Sequence, residues 1–94
     1  MEIQREEHGS KGAFFISAQG KRLAEMTYSK AGDTRLIIDH TEVSGALKGK
    51  GAGKQLVTAA VNFARQQKIK ILPLCPFARA VFEKTPEFAD VWDN

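Results

Sequence analysis

Leu47-Lys48-Gly49-Lys50-Gly51-Ala52-Gly53-Lys54 alternates glycine with small or basic residues and stands between a strand-like segment and a helix-like one. A strand, glycine loop and helix in that order turn main-chain amides outward at the positive end of a helix dipole, a geometry that binds phosphate. Glycines without Cβ let a pyrophosphate approach the main chain, and Lys48, Lys50 and Lys54 add counter-charge. The alternative is a flexible connection before an ordinary helix start, but a plain connection has no need of three alternating glycines with lysines between them.

Downstream, from Lys54 to about Gln67, Leu56, Ala59, Ala60, Phe63 and Ala64 recur three and four apart, with Val57 and Val61 widening the stripe, which predicts an amphipathic helix. The stretch from Lys68 to Cys75 alternates and then turns apolar as a strand does, with Pro73 near its end where a missing ladder donor is tolerated. Pro76 suits a first helical turn, and Phe77, Ala78, Val81 and Phe82 keep helical spacing as far as Lys84, before Thr85-Pro86 stops the helix. Upstream, the apolar run Ala13 to Ala18, the polar Gln19-Gly20-Lys21-Arg22 and the alternating Leu23 to Lys30 predict a β-hairpin. Gly32-Asp33 makes the next turn, and Thr34 to Val43, with Leu36-Ile37-Ile38 apolar on both faces, reads as a central strand. The order is β-β-β-α-β-α, an α/β chain of the α+β kind with antiparallel hairpins and one parallel strand pair joined by a right-handed crossover.

A chain of 94 residues has the length of one domain, spanning 1–94. With 43% hydrophobic and 27% charged residues it reads as a globular chain with one modest core. Its apolar runs are too short for a membrane span and no signal-peptide pattern opens it, so a cytoplasmic address and no membrane partner are expected. The single cysteine, Cys75, excludes an internal disulfide and a Cys-rich zinc site. Net charge is +3, but Val43 to Phe82 holds seven basic residues and no acidic one. That local field points to an anionic ligand, although solvated lysines on a small domain would read the same.

A Walker A loop is excluded, because Lys48 stands five residues before Gly53 and Gln55 follows Lys54. A dinucleotide fingerprint starting at Gly49-Lys50-Gly51 needs glycine where Lys54 stands. Lys48-Gly49-Lys50-Gly51-Ala52-Gly53 instead resembles the acyl-coenzyme A loop of GNAT-type N-acetyltransferases, written Arg/Gln-x-x-Gly-x-Gly/Ala. His40-Thr41-Glu42-Val43 before it and Cys75-Pro76-Phe77 after it make the resemblance closest to a very small GNAT-like subfamily, over about Phe14 to Phe88. The resemblance implies a minimal GNAT fold and acetyl-coenzyme A as cofactor. The pyrophosphate would rest on Lys48, Gly49, Lys50, Gly51, Ala52, Gly53 and Lys54, and the pantetheine between Thr41–Val43 and the strand ending at Cys75. Two departures stand out. Lys48 replaces the usual Arg or Gln, which loses a planar fork. Phe82-Glu83-Lys84 replaces Tyr-Glu-Lys, so the tyrosine that commonly protonates the departing thiolate is absent. Met1 to Gly12 is also too short for the N-terminal helices that usually build the acceptor pocket, so an open acceptor site is expected.

His40 and Glu42, two apart on one strand, are expected to share a face with Ile38 and Leu36. Neutral histidine can take the proton of an acceptor ammonium, with Glu42 as second candidate, while both can equally be ordinary strand-end residues. Cys75 ends a strand before a helix whose dipole favours thiolate, so it is a candidate nucleophile, a channel-lining residue or a packed, inert thiol. Arg79, one turn into that helix, could reach a cofactor phosphate. His8 lies in a polar stretch without a partner pattern.

The leading expectation is therefore an acetyl-coenzyme A-dependent N-acetyltransferase acting on an amine, small molecule or protein. A coenzyme A-binding module without turnover is the alternative. A nucleic-acid binder is the third reading, opposed by Phe63, Phe77 and Phe82 all lying at helical core spacing, which leaves no stacking platform.

Overall fold

The computed structural model describes residues 1–93. Five strands, β1 (Gln4–His8), β2 (Lys11–Ala18), β3 (Lys21–Ala31), β4 (Arg35–Val43) and β5 (Lys70–Pro73), lie in that order in one sheet. The first four pair antiparallel and β5 runs parallel to β4, as expected for strands flanking the long helix. That helix, α1 (Ala52–Gln67), begins two residues earlier than the apolar stripe alone indicates, and α2 (Pro76–Lys84) has the expected bounds.

β1 is one strand more than the sequence reading predicts, because Gln4-Arg5-Glu6-Glu7-His8 carries no apolar alternation. It is held by the apolar parts and charges of its side chains. The Arg5 guanidinium lies 4.3 Å from the centroid of Phe63, and Glu7 accepts a 2.8 Å hydrogen bond from Tyr28. Gly12 makes room for that tyrosine: a Cβ there would lie 2.5 Å from the Tyr28 ring and 2.6 Å from the Glu6 carbonyl oxygen.

One cluster forms the core, from Phe14, Met26, Tyr28, Leu36, Ile38 and Ile71 of the sheet and the buried stripes of both helices. Leu56, Val57, Ala60, Val61 and Ala64 of α1 and Ala78 and Phe82 of α2 all enter it, so both helices cover the same face. Among the described residues no helix covers the other face, which carries Phe15, Glu25, Thr27, Ser29 and Ile37. After α2 the chain makes a 3₁₀ segment, Pro86–Val91, and the Asp93 amide donates to the Ile71 carbonyl at 2.8 Å, capping the start of edge strand β5. No helix of the described residues is long and apolar enough to cross a membrane.

Candidate functional site

A β-bulge on β4 decides what each site residue faces. Met26 of β3 pairs with Thr41 and Thr27 with His40, but Tyr28 pairs with Ile38, so Asp39 is an extra residue. Before it, Leu36 and Ile38 face the helices. After it, Thr41 takes the helix-bearing side opposite buried Met26, while His40 and Glu42 stand on the other face opposite Thr27 and Glu25. The expectation that His40 and Glu42 share a face with Leu36 and Ile38 is thereby corrected, since strict alternation holds only for an unbulged strand. They do share a face with each other: His40 Nε2 and Glu42 Oε1 are 3.1 Å apart on the open surface.

The ladder between β4 and β5 ends at the pair Ile38 and Pro73. The amides of Leu74 and Cys75 both donate to the Ile38 carbonyl, at 3.1 and 3.2 Å, and α2 then carries the chain away. Residues 39–43 of β4 run on with no β5 partner beside them, leaving a wedge between the diverging strands. Val43 at the end of β4, and Leu74 and Phe77 just past β5, are exposed large apolar side chains.

Cys75 stands at the N-cap of α2, 6% exposed, and its thiol lies 3.4 Å from Thr41 Oγ1. Burial pushes the thiol pKa up, but the Thr41 hydroxyl and the amides of Ala78 and Phe77 outweigh burial and hold it below the ordinary value. Cys75 is thus a thiolate-favouring group on the helix side of the sheet, and His40 and Glu42 are on the other.

The glycine loop sits beside the same wedge. Ser44 caps a 3₁₀ turn, Gly45–Leu47, whose buried Leu47 anchors the loop to the core. Gly49 and Gly51 have φ of 78° and 71°, left-handed conformations that glycine adopts without strain. Amides of Ala52, Gly53 and Lys54 fall in the first turn of α1, where no carbonyl of the helix can reach them, and that turn has no acidic residue. Lys48, Lys50 and Lys54 are exposed around it. The Phe77 ring lies directly over Gly53, where a Cβ would meet it. Phe77, expected in the core from its spacing, is instead 44% exposed and lies across the start of α1.

The structure thus groups the Lys48–Lys54 loop, Thr41, Val43 and Cys75 around one wedge, with His40 and Glu42 on the far side of β4. Arg79 lies elsewhere. It is exposed, 3.6 Å from Glu83, and borders a separate cavity of about 230 Å³ with Leu74 and Trp92. Phe63 packs edge-on against Phe14 and Phe82 is buried against Phe88, so neither forms a stacking platform. Ser44 is the site residue that sequence reasoning misses, although a capping residue before a helical turn is its signal; Leu47 and Phe77 stand in the motifs that reasoning singles out, but neither the burial of Leu47 nor the exposure of Phe77 is read from them.

A model of the GCN5-related N-acetyltransferase family matches residues 13–91. The chain is similar to a GCN5-like protein of Staphylococcus aureus solved in solution, with 37% identity, TM-score 0.76 and coverage of 99% of this chain and 88% of that one. The ribosomal-protein-alanine N-acetyltransferase of Brucella melitensis shares its fold at 18% identity and TM-score 0.66, over 82% of this chain and 62% of that one. Protein NATD1 of Xenopus tropicalis is 29% identical over 63 residues, 67% of this chain. The match spans 58% of that relative's length.

Proposed function

The chain belongs to the GCN5-related N-acetyltransferase family, and on that premise we propose that it transfers acetyl from acetyl-coenzyme A to an amine. The observation that carries the reading is the glycine loop beside the wedge: outward amides, an acid-free helix start and three lysines fit a pyrophosphate, and a neighbouring apolar-rimmed slot fits pantetheine. When bound, the cofactor supplies an activated acetyl thioester. Gly49 to Lys54 would hold its phosphates, Thr41, Val43 and Cys75 would line the arm, and main-chain N–H groups on the unpaired edge of β4 would orient the acyl carbonyl as hydrogen-bond donors. His40, with Glu42 behind it, takes the ammonium proton of the acceptor from the open face. Cys75, 6% exposed with its sulfur turned to Thr41, is read as lining the slot. The protein is read as one cytoplasmic acetyltransferase domain.

A module that binds coenzyme A without turnover is the second reading. Phe82, where a tyrosine hydroxyl would be expected, is 2% exposed in the core, which leaves no phenol to protonate a departing thiolate. Measuring the melting temperature with acetyl-coenzyme A, and acetylated amine in the same samples, separates the two. The first reading expects both signals, and the second expects the melting shift alone.

A further inference from the structure

Among the described residues Phe77 is the one aromatic side chain that stands exposed, and neither another ring nor a guanidinium covers it. Phe15 and Phe63, which are half-buried, each carry a cation instead, Arg22 at 3.9 Å and Arg5 at 4.3 Å from the ring centroid. The exposure of Phe77 is fixed by the fold. It stands in the first turn of α2 between Pro76 and the fully buried Ala78. Neighbouring helix positions point about 100° apart, so burying Ala78 leaves Phe77 beside the core and free to reach across to α1. There the outer end of its ring covers Gly53, in the turn of α1 whose amides no carbonyl of the helix can reach. Neither helix has an acidic residue in its first turn. An apolar ring and an anion-binding turn therefore share one patch, and a phosphate on the Gly53 amide brings its own substituents close to Phe77.

We infer that Phe77 is the platform on which the adenine of coenzyme A stacks, and that through it the site selects free coenzyme A thioesters over acyl groups carried on phosphopantetheine alone. The inference deepens the acetyltransferase reading and rests on it for the cofactor. A pyrophosphate on the first turn of α1 has two substituents. The pantetheine arm enters the wedge, where Thr41 Oγ1 and Cys75 Sγ meet at 3.4 Å on the helix-bearing side. The nucleoside leaves the phosphates by the other route, over the surface where α1 and α2 begin, and Phe77 is the exposed apolar side chain of that surface. Leu74, which precedes α2, borders instead the separate cavity with Arg79 and Trp92. A phenyl ring suits a purine, because both offer a π-face and stacking needs no fixed register. Lys48, Lys50 and Lys54, exposed around the same turn, suit the further phosphate on the coenzyme A ribose. One ring serves one base, whereas a nucleic-acid strand needs several in succession, so the platform does not revive the nucleic-acid reading.

The test is a calorimetric titration of the full chain with coenzyme A, ADP and phosphopantetheine, in the wild type and in three variants of Phe77. Phe77→Ala should weaken coenzyme A and ADP by about tenfold and leave phosphopantetheine unchanged, because stacking is lost only where there is a base. Phe77→Tyr should bind all three as the wild type does. Phe77→Leu keeps apolar bulk over Gly53 without a π-face, and should lose as much coenzyme A affinity as Phe77→Ala. In proton NMR spectra the adenine ring protons should move upfield on binding to the wild type and not on binding to Phe77→Leu. Coenzyme A bound no better than phosphopantetheine by the wild type would overturn the inference. So would a Phe77→Ala loss shared equally by phosphopantetheine, which puts the ring against the arm, or a Phe77→Leu variant that binds coenzyme A as the wild type does. A wild type that binds none of the three overturns the cofactor reading and the inference with it, whereas coenzyme A binding that Phe77→Ala leaves unaffected overturns the inference alone.

Discussion

Thr41 Oγ1 lies 3.4 Å from Cys75 Sγ on the helix-bearing side of the sheet, while His40, its chain neighbour, stands on the opposite face. Thr41→Val removes the hydroxyl whose hydrogen bond with the thiol holds the Cys75 pKa down, so that pKa should rise and alkylation at neutral pH should slow by several fold. Thr41→Ser should restore the rate. An unchanged pH profile of alkylation in Thr41→Val would separate the hydroxyl from the thiol's chemistry.

Cys75→Ser should change turnover by less than tenfold if the thiol lines the slot, and by about a hundredfold or more if it forms a covalent bond to the acyl group. Saturating acetyl-coenzyme A should protect Cys75 from alkylation, because the pantetheine would occupy the same wedge. A rate unaffected by the cofactor would remove Cys75 from the site.

Gly51 has φ 71°, and a Cβ placed on it would meet nothing within 4 Å, so Gly51→Ala should cost about 1 kcal/mol of backbone strain and no more. Gly51→Asp should, in addition, abolish the melting shift given by acetyl-coenzyme A, because the carboxylate would face the phosphates. Thermal melts with and without cofactor distinguish the two effects.

Gly12→Ala drives a methyl into the Tyr28 ring and the Glu6 carbonyl, which cannot both give way. A loss of about 2 kcal/mol is expected, or a melting temperature lower by roughly 10 °C for a domain of this size.

The acid side of the stability curve should report on Glu7. The hydrogen bond from Tyr28, against some opposition from burial and with help from Lys30 and Arg5, holds its carboxyl below the usual 4.5. A depressed folded-state value means that the stability it contributes is complete above the unfolded value and lost as pH falls through the folded one. Tyr28→Phe should therefore lower stability by about 1 kcal/mol at neutral pH. It should also flatten the loss below about pH 4.5, which urea melts from pH 3 to 7 would read.

Periodicity alone places α1, α2, the β2–β3 hairpin and the parallel pair, because each buries an apolar stripe that the sequence displays. β1 is invisible to it: Arg5 and Glu7 are held by an aromatic face and a phenol contributed from distant parts of the chain. The loop is legible because glycine and lysine are chemically distinctive there, whereas the contact of Gly53 with Phe77, twenty-four residues on, is not. The faces of His40 and Glu42 escape sequence reasoning for a single cause. A bulge shifts register by one residue, and nothing in Ile38-Asp39-His40 marks Asp39 as unpaired until β3 is laid beside it.

Whether the wedge and its glycine loop serve acetyl transfer is decided by incubating the wild-type chain with acetyl-coenzyme A and a set of acceptors that spans small primary amines and basic peptides. Acetylated amine is measured by mass spectrometry alongside free coenzyme A thiol. Acetyl transfer at this site predicts equal amounts of both, formed over many turnovers and lost in Gly51→Asp. A full melting shift with acetyl-coenzyme A, but no acetylated product from any of the amines supplied, would contradict it.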